Sequence, residues 1–373
     1  MRISIITFGK FHSFDLAREL LSHKNNIQLY SSYPFFIAKK YNIPKTSYYS
    51  FFLLQIIDRI TSRKLSKYIK IVFSFFISLI IKKDQHIYIL WSSTPHFLIK
   101  KIKKLNKNSI IIIERGSTHI EFQNDIIKDE FERFNLKFKT SSYDISNELK
   151  NYKLADFISI PSGFVENSFL EKKVNKNKLI LNPYGANLDI FYPSKEKKDK
   201  QFRIITTGTG SIRKGLFYVL ESHKFIKGDF IHYHIGNIDN ELGDIVKQYP
   251  KLVNIKSVNQ SILSEYYRNS HLFILASLEE GLSLTIIEAM ASGLPIIATK
   301  NSGIETIKSN LQFRTIVDIR DPFAIADKVN YFINNPDKVI TFSINSRKTI
   351  QDFGLTWKDY GNRYIKNLRQ KIN

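Results

Sequence analysis

Hydrophobic residues in this chain form two patterns that alternate along most of its length. One pattern is a short continuous apolar run, as in strands buried on both faces of a parallel sheet. The other is a stripe with a spacing of three or four residues, as on one face of a helix. Runs of the first kind occur at residues 2–8, 86–91, 110–113, 202–207, 232–235 and 271–277. The alternation predicts an α/β protein of parallel sheets covered by helices.

The clearest of these units is residues 277 to 299, SLEEGLSLTIIEAMASGLPIIAT. Its pattern predicts a strand end, a loop, a helix over residues 284 to 291 and a further strand. Gly281 and Ser283 suit a tight turn and an N-cap. The segment therefore predicts one strand, loop, helix and strand unit of a parallel sheet.

The start of this helix is a candidate anion site. A helix N-terminus offers free backbone N–H groups and a partial positive charge, so a phosphate could bind at Leu282, Ser283 and Leu284. Glu280 and Glu288 lie on either side of it and could accept hydrogen bonds from ligand hydroxyls. The alternative is that Glu280 is a solvated turn residue and Glu288 is an exposed helix residue, neither of which binds a ligand.

The string EGLSLTIIEAMASGLPIIAT resembles the E-x7-E signature of the GT-B glycosyltransferases of family 4. The resemblance implies that Glu280 contacts hydroxyls of a donor sugar and that Glu288 binds the ribose of the nucleotide. It implies that the backbone of Gly281, Leu282, Ser283 and Leu284 holds the diphosphate. The fold expected on this basis is GT-B, two facing Rossmann-like parallel-sheet domains with a C-terminal helix that crosses back to the first.

A glycine-rich turn with a basic pair follows the first strand of the second half. Arg213 and Lys214 in this turn, GTGSIRKG, could neutralise a diphosphate, and a solvated surface pair is the alternative. Members of the resembled family often carry Gly-Arg here and Lys-Gly five residues after that Arg. Lys214 fits the Lys, but Thr209 stands at the Arg position. We take Arg213, as in an Arg-Lys-Gly variant, as its substitute and Gly208 as a donor-binding position.

The first half holds further candidates. The turn at Gly9 is too poor in glycine for a G-x-G-x-x-G fingerprint, so neither NAD nor FAD is predicted. Ser13 is the expected N-cap of the helix that follows. Arg115 and His119 lie in a loop after a core strand, where ligands bind in open α/β sheets, although a lone histidine is more often structural. The resemblance implies that His119 contacts the donor sugar and that the backbone at Gly9 approaches the ligand.

Domain boundaries follow from a charged stretch without periodicity, residues 194 to 200. We predict an acceptor-side domain over residues 1–193 and a nucleotide-sugar domain over residues 194–355. Residues 356–373 form a helix with Tyr360, Tyr364 and Leu368 on one stripe. By analogy with GT-B folds, this helix returns to the first domain.

The charge of the chain is uneven. Of a net charge of +22, residues 1 to 110 contribute +15, with 19 Lys and Arg against 4 Asp and Glu. Basic residues interleaved with aromatic ones favour an anionic membrane surface, and nucleic acid ranks lower because no recognised nucleic-acid module occurs. Composition bias with solvated charges is the alternative. Residues 47 to 83 are predicted helical, and their longest apolar run, residues 71 to 81, predicts a buried helix, with an interfacial membrane helix as the alternative.

The resemblance to family 4 implies a retaining glycosyltransferase. It would move a sugar from a UDP-, GDP- or ADP-linked donor to a hydroxyl of a glycan or polyprenyl-linked acceptor in bacterial surface polysaccharide synthesis. The chain has no cysteine and no D-x-D, so neither a cofactor nor a metal is expected, and a cytoplasmic location, peripheral on the inner membrane face, is expected. Rival classes are a GT-B epimerase or phosphorylase and a non-enzymatic membrane-surface binder.

Overall fold

The computed structural model describes residues 1–139, 141–194 and 201–372. In these residues a parallel sheet of seven strands is followed by a parallel sheet of six. Six of these strands coincide with the six continuous apolar runs, because a strand covered by helices on both faces needs no polar side. The predicted architecture, two Rossmann-like parallel-sheet domains with helices, is confirmed.

The first sheet consists of β1 (Arg2–Thr7), β2 (Asn26–Ser31), β3 (Tyr48–Ser50), β4 (Ile87–Trp91), β5 (Ile110–Glu114), β6 (Phe157–Ile160) and β7 (Leu179–Leu181). Their order in the sheet is β3-β2-β1-β4-β5-β6-β7, and every adjacent pair is parallel. The order reverses between β1 and β4. A crevice therefore opens at the carboxyl ends of these two strands.

The helices described beside the first sheet are α1 (Ser13–Ser22), α2 (Phe35–Lys39), α3 (Phe52–Ile60), α4 (Ser66–Ile80), α5 (His96–Leu105), α6 (Ile120–Arg133), α7 (Ser142–Leu154) and α8 (Gly163–Glu171). Two single 3-10 turns, Lys45–Ser47 and Lys176–Lys178, precede β3 and β7. Six of these helices bury apolar or small residues against the sheet or its neighbours. The exceptions are α3 and α6, whose buried residues are Asp58 and Glu130.

The second sheet consists of β8 (Phe202–Thr207), β9 (Phe230–Ile235), β10 (Leu252–Ile255), β11 (Leu272–Leu275), β12 (Ile296–Thr299) and β13 (Arg314–Val317). Their order is β10-β9-β8-β11-β12-β13, again parallel throughout. The reversal lies between β8 and β11. The second crevice is therefore at the carboxyl ends of these strands.

The helices of the second half are α9 (Leu216–Ser222), α10 (Gln260–Arg268), α11 (Leu284–Ala291), α12 (Pro322–Asn334), α13 (Pro336–Asp352) and α14 (Trp357–Ile372). Further 3-10 turns lie at Asn240–Leu242, Val246–Gln248, Lys300–Ser302 and Ile304–Thr306. Helix α11 coincides with the predicted residues 284 to 291, since Ser283 precedes it and Gly293, with a φ of +72°, follows it.

Helix α14 returns to the first sheet and packs against α1. Tyr360, Tyr364 and Leu368 are buried on one stripe, and the Tyr364 hydroxyl donates to Glu114 Oε1 at 2.6 Å. Gly361 is needed for this contact, because an added Cβ would lie 2.4 Å from Glu19 Cβ. The return of the last helix to the first domain thus occurs as predicted.

The predicted domain linker cannot be located, because residues 195 to 200 lie outside the described part of the chain. The domain limits 1–193, 194–355 and 356–373 stay predictions. The first sheet ends at residue 181 and the second begins at residue 202.

Two local predictions are wrong. Ser13 is not the N-cap of α1, because that position belongs to His12, and the Ser13 hydroxyl donates to the Lys10 carbonyl at 2.6 Å. Residues 47 to 83 are not continuously helical, since β3 occupies their start and left-handed Ser62 and Arg63 separate α3 from α4.

The prediction of a buried helix at residues 71 to 81 is confirmed for one side of the helix and wrong for the other. In α4, Ile69, Phe73 and Ile77 are buried, but Phe75 and Leu79 are among a second set that is exposed. The apolar run therefore covers both sides of the helix. In the described residues, no helix is both long and apolar enough to cross a bilayer.

Candidate active site

Two loops of the second domain meet at the carboxyl ends of β8 and β11. Residues 208 to 215 follow β8, and residues 276 to 283 follow β11. Gly215 permits the contact, because it has a φ of +66° and an added Cβ would lie 1.9 Å from the Ala276 carbonyl oxygen. The two loops form the wall of the crevice at the strand-order reversal.

Three charged side chains from these loops form a cluster. Lys214 Nζ lies 2.6 Å from Glu280 Oε1, and Arg213 Nη1 lies 3.1 Å from the same oxygen. The Glu280 side chain is 11% exposed, whereas that of Arg213 is 31% exposed. The cluster therefore has a nearly buried anion and two cations, with the guanidinium partly open to solvent.

The charges in this cluster stabilise each other. Burial acts to raise the pKa of Glu280, but the charges of Lys214 and Arg213 outweigh burial and lower that pKa below its usual range. Burial likewise opposes the charge on Arg213, but Glu280 and Glu279 raise its pKa. Glu280 is therefore an ionised acceptor at neutral pH, and Arg213 is a permanent cation.

Glu279 connects this cluster to the first domain. It is fully buried, and its Oε1 accepts from both the backbone N–H and the hydroxyl of Thr118 at 2.8 Å. Its Oε2 accepts from Gln123 Nε2 at 2.9 Å and from Arg213 Nη1 at 3.1 Å. One carboxylate therefore joins the loop after β5, helix α6 and the basic pair.

The two domains also touch next to Glu280. An added Cβ at Gly281 would lie 2.0 Å from the Gly116 carbonyl oxygen, and the Ser162 hydroxyl donates to the Gly281 carbonyl at 2.5 Å. The Gly163 N–H donates to Thr306 Oγ1 at 2.8 Å. The loops after β5 and β6 of the first domain therefore rest directly on the charged cluster.

The start of α11 follows the same loop. Leu282 and Ser283 are buried, and Ser283 holds the N-cap position, but its hydroxyl bonds Thr285 Oγ1 at 2.8 Å and caps no backbone N–H. The first N–H groups of a helix have no partner within that helix. At Leu284 and the residues before it, these donors and the helix dipole favour an anion.

Glu288 lies one turn further along α11 and is half-buried. Burial raises its pKa to about 8, a hydrogen bond from Gln260 opposes this shift, and the charge of Asp15 adds to it. Gln260 Nε2 lies 3.5 Å from Glu288 Oε1. Glu288 is therefore largely protonated at pH 7.

Two glycines occupy corresponding places in the two sheets. Gly9 follows β1 with a φ of +135°, and Gly208 follows β8 with a φ of +105°. An added Cβ at Gly208 would have no atom within 4 Å, whereas one at Gly9 would lie 2.7 Å from the ring of Phe11. Gly208 therefore borders open space in the crevice, and its backbone conformation favours glycine.

His119 and Arg115 have structural surroundings. The His119 ring packs against Tyr152 and Phe169, with centroids 5.1 and 5.0 Å away, and Nδ1 accepts from the Glu121 N–H. Burial and the charge of Arg115 lower the pKa of His119 to about 4, so the ring is neutral at pH 7.

Arg115 holds the turn that follows β5. Its guanidinium donates to the Thr118 carbonyl at 2.7 and 2.9 Å and pairs with Glu148 at 2.9 Å. It therefore fixes the position of Thr118, which reaches the charged cluster through Glu279. Among the described residues, no group of three or more His, Asp or Glu side chains is arranged to hold a metal ion.

Comparison of the sequence with protein families gives one match in this region. Residues 189–349 match the model of the glycosyl transferases group 1. A probable sucrose-phosphate synthase of Thermosipho melanesiensis is 30% identical over 53% of this chain and 48% of its own length. The capsular polysaccharide biosynthesis glycosyltransferase CapM of Staphylococcus aureus is 24% identical over 74% of this chain and 66% of its own. The chain thus spans about half of the first relative's length. These matches show that residues 189–349 are similar to the glycosyl transferases group 1.

Solved structures match over nearly the whole chain. A sucrose-phosphate synthase from Thermosynechococcus elongatus superimposes with a TM-score of 0.74 at 16% identity, covering 99% of this chain and 98% of that one. HepE of Anabaena, solved with UDP and with UDP-glucose, gives a TM-score of 0.73 at 11% identity, covering 99% and 100%. The chain has the GT-B fold.

In this GT-B chain, the structure brings Arg213, Lys214 and Glu280 into one cluster beside the start of α11. Glu288 lies further along the same wall, whereas the His119 ring packs in the first domain.

Sequence reasoning missed Glu279 and Thr118, which join the two domains beside the GT-B crevice, and Asp15, whose charge adds to the raised pKa of Glu288. The one sequence signal for Glu279 was its position next to Glu280. Both lie in a loop, where no hydrophobic periodicity shows which of the two carboxylates binds which partner. Thr118 and Asp15 come from other parts of the chain, and their contacts depend on how the domains face each other.

Proposed function

We propose that this chain is a retaining glycosyltransferase that uses a nucleotide sugar. The observation that carries the proposal is the contact of Arg213 and Lys214 with Glu280 at the start of α11. Two cations and one ionised acceptor thus lie close to the start of α11, where a helix offers N–H groups and a partial positive charge to an anion, inside the segment that matches group 1. A diphosphate and a sugar hydroxyl are the groups that such a set binds.

The donor would lie along the wall formed by the two second-domain loops. The backbone of Gly281, Leu282, Ser283 and Leu284 would hold the diphosphate, and Glu280 would accept from a sugar hydroxyl through the lone pairs that the cations leave free. Gly208, which borders open space, would let the backbone approach the phosphates.

The remaining donor contacts come from both domains. Glu288 is largely protonated and can both donate to and accept from a ribose hydroxyl. Gly9 and His119 complete the proposed site from the first domain. A direct sugar contact by His119 requires its ring to leave Tyr152 and Phe169.

The proposed reaction breaks the bond between the anomeric carbon and the diphosphate oxygen. The oxygen of the acceptor hydroxyl forms the new bond on the same face of the sugar, and its proton passes to the departing diphosphate. Arg213 and Lys214 stabilise the negative charge that develops on that diphosphate. These two cations supply the role of a metal ion, so we propose that the reaction needs neither a metal nor a cofactor, and that EDTA leaves the rate unchanged.

The proposed acceptor is a hydroxyl of a glycan or a polyprenyl-linked glycan in bacterial surface polysaccharide synthesis. The similarity to CapM, a capsular polysaccharide glycosyltransferase, supports this class of acceptor. The charge of +15 in residues 1 to 110 supports work at an anionic membrane surface, peripherally on its cytoplasmic face.

Calorimetric titration with UDP, GDP and ADP tests the donor site. We expect one nucleotide to bind, and Glu288→Ala to weaken it, while Glu305→Ala, an exposed carboxylate on a 3-10 turn, leaves it unchanged. Sugars linked to that nucleotide are then tested for transfer. Binding of none of the three would contradict the proposal. Turnover without an acceptor, or with free phosphate, would point to an epimerase or a phosphorylase.

A further inference from the structure

Exposed apolar side chains are concentrated in two helices of the first domain. Of 26 large hydrophobic residues that are exposed in the described chain, 12 lie between residues 52 and 80. We call this set the α3–α4 apolar face. Its members are Phe52, Leu53, Ile56, Ile57, Ile60, Leu65, Tyr68, Val72, Phe75, Phe76, Leu79 and Ile80.

Helical spacing explains why these residues share one side of each helix. In α3 the exposed residues recur after three or four positions, from Phe52 through Ile56 to Ile60. In α4 Ile69, Phe73 and Ile77 form a buried stripe, and Phe73 and Ile77 belong to a core cluster with residues of the first sheet. The exposed stripe is a second apolar surface, so packing within the chain does not account for it.

Cations border this face. Arg59, Arg63, Lys64 and Lys67 lie in α3, in the turn after it and at the start of α4, and all four are exposed. Lys82 and Lys83 follow the end of α4 and are exposed as well.

The acidic residues of this segment do not cancel that charge. Asp58 is buried and accepts from the Ser66 hydroxyl. Asp84 is exposed and pairs with Arg2 at 3.4 Å. The rim of the α3–α4 apolar face is therefore positively charged.

We infer that the α3–α4 apolar face docks on an anionic lipid bilayer. Its aromatic and aliphatic side chains enter the interface between the headgroups, and the flanking Lys and Arg contact lipid phosphates. Helix α4 has 15 residues, about 22 Å at 1.5 Å per residue, which is shorter than the roughly 30 Å hydrocarbon core. It therefore lies in the plane of the interface.

Charge complementarity favours lipid over a second copy of this chain. Two copies that met through this face would bring their basic rims together, and like charges in contact oppose association. Anionic headgroups neutralise the same rim. The combination of a wide apolar surface with a basic border is the one that interfacial helices present to anionic lipid.

The position of the face connects it with the crevice. Helix α3 begins two residues after the carboxyl end of β3, and Gln55 in α3 accepts from the Ser32 hydroxyl, just after β2, at 2.7 Å. Carboxyl strand ends of this sheet, including that of β1 with Gly9, line the crevice. A lipid-linked acceptor could thus pass from the bilayer to the crevice, and this link alone rests on the proposed glycosyl transfer.

Flotation of the full chain with vesicles tests the inference. Vesicles of phosphatidylcholine with about one third phosphatidylglycerol are compared with pure phosphatidylcholine. We expect binding to the anionic vesicles, at least about tenfold stronger than to the neutral ones, since each basic residue at the surface contributes roughly fivefold.

Two pairs of substitutions separate the apolar and basic parts. Phe75→Ser with Leu79→Ser should weaken binding on the order of 100-fold, because each loses a large apolar side chain from the interface. The matched control is Ile340→Ser with Ile344→Ser, two exposed residues on α13, which should bind as the wild type does.

The basic pair is Lys64→Gln with Lys82→Gln, and its control is Lys338→Gln with Lys366→Gln in the second half of the chain. The first pair should weaken binding about 25-fold and the control far less. Circular dichroism and thermal unfolding of every variant verify the fold.

Three results would overturn the inference. The first is equal vesicle binding by the wild type and the Phe75 and Leu79 variant, or no binding by either. The second is a wild-type dimer that this variant converts to a monomer. The third is binding to duplex DNA that needs Lys64 and Lys82 but is indifferent to Phe75 and Leu79.

The proposed function is measured separately. Nucleotide titration without vesicles reports on the donor site, and Phe75→Ser with Leu79→Ser should leave it unchanged. Vesicle binding without nucleotide binding would leave the docking surface standing and remove glycosyl transfer. Nucleotide binding without vesicle binding would leave the proposed donor site standing and remove the docking surface.

Discussion

Replacing Glu279 with glutamine tests how the two domains are held together at the site. In the native chain Oε1 accepts two hydrogen bonds from Thr118, and Oε2 accepts one each from Gln123 and Arg213. Glutamine has nearly the same shape, but one end becomes an NH2 donor. Whichever way the amide turns, its NH2 group then faces two other donors and cannot accept a hydrogen bond from either.

The magnitude follows from the partners that are lost. The amide should turn its NH2 toward Gln123 and Arg213, because these side chains can move and the Thr118 N–H is part of the backbone. The loss then comprises one neutral hydrogen bond, about 0.5 to 1.5 kcal/mol, and one to a charged group, about 1.5 to 3 kcal/mol. We expect the free energy of opening this contact to fall by about 2 to 4 kcal/mol.

Hydrogen exchange at the Thr118 amide measures that opening. A decrease of this size corresponds to exchange roughly 30- to 1,000-fold faster, since 1.4 kcal/mol is about tenfold. Glu132→Gln is the control, because Glu132 is exposed on α6 and meets Lys128 at 3.7 Å. If Glu279→Gln left the exchange rate of Thr118 equal to that of the control, the bridge would hold no free energy and the reasoning would fail.

Three further predictions concern the same crevice. Lys214→Ala should lower kcat by about 100- to 1,000-fold in a transfer assay at a temperature where circular dichroism shows the variant folded, because it removes one cation from the departing diphosphate; wild-type turnover would remove it from the site. Glu288, with its pKa raised from 4.5 to about 8, binds its proton more tightly in the folded state, so the unfolding free energy should fall by about 2 to 3 kcal/mol as pH rises from 4.5 to 8. In Glu288→Gln this part of the pH dependence, followed by urea unfolding, should disappear; an unchanged slope would contradict the assignment. Gly281→Ala should lower the melting temperature and weaken nucleotide binding, because its Cβ meets the Gly116 carbonyl oxygen, whereas Gly243→Ala, with its nearest atom 3.3 Å away, should cost much less; equal melting temperatures would count against a close domain contact.

The sequence predicts the elements around the site well, for local reasons. The bounds of α11 follow from a helical apolar stripe between Ser283 and Gly293, which are signals that act within a few residues. Continuous apolar runs likewise predict β1, β4, β5, β8, β9 and β11, because burial on both faces favours them.

The site itself depends on contacts that are distant in sequence. Glu279 and Glu280 are adjacent in a loop without periodicity, so the sequence cannot assign one to the basic pair and the other to Thr118. His119 illustrates the opposite case, because its position after β5 is predictable but its packing against Tyr152 and Phe169 depends on α7 and α8.

The exposure of one side of α4 could not be predicted from the sequence, for a different reason. Ile69 and Phe73 on the buried stripe have the same apolar character as Phe75 and Leu79 on the exposed one. Hydrophobic periodicity measures how apolar a side of a helix is, and it carries no information about what covers that side. The sequence therefore predicts burial wherever both sides are apolar.

The return of α14 to the first domain has a consequence for how that domain is assembled. Its sheet ends at β7, and the last helix follows only after the whole second sheet and α13. Helix α14 packs against α1, and the Tyr364 hydroxyl donates to Glu114 Oε1 at the end of β5. The first domain is therefore discontinuous in sequence, and its core is complete only when the C-terminal helix has joined residues that lie more than 200 positions before it.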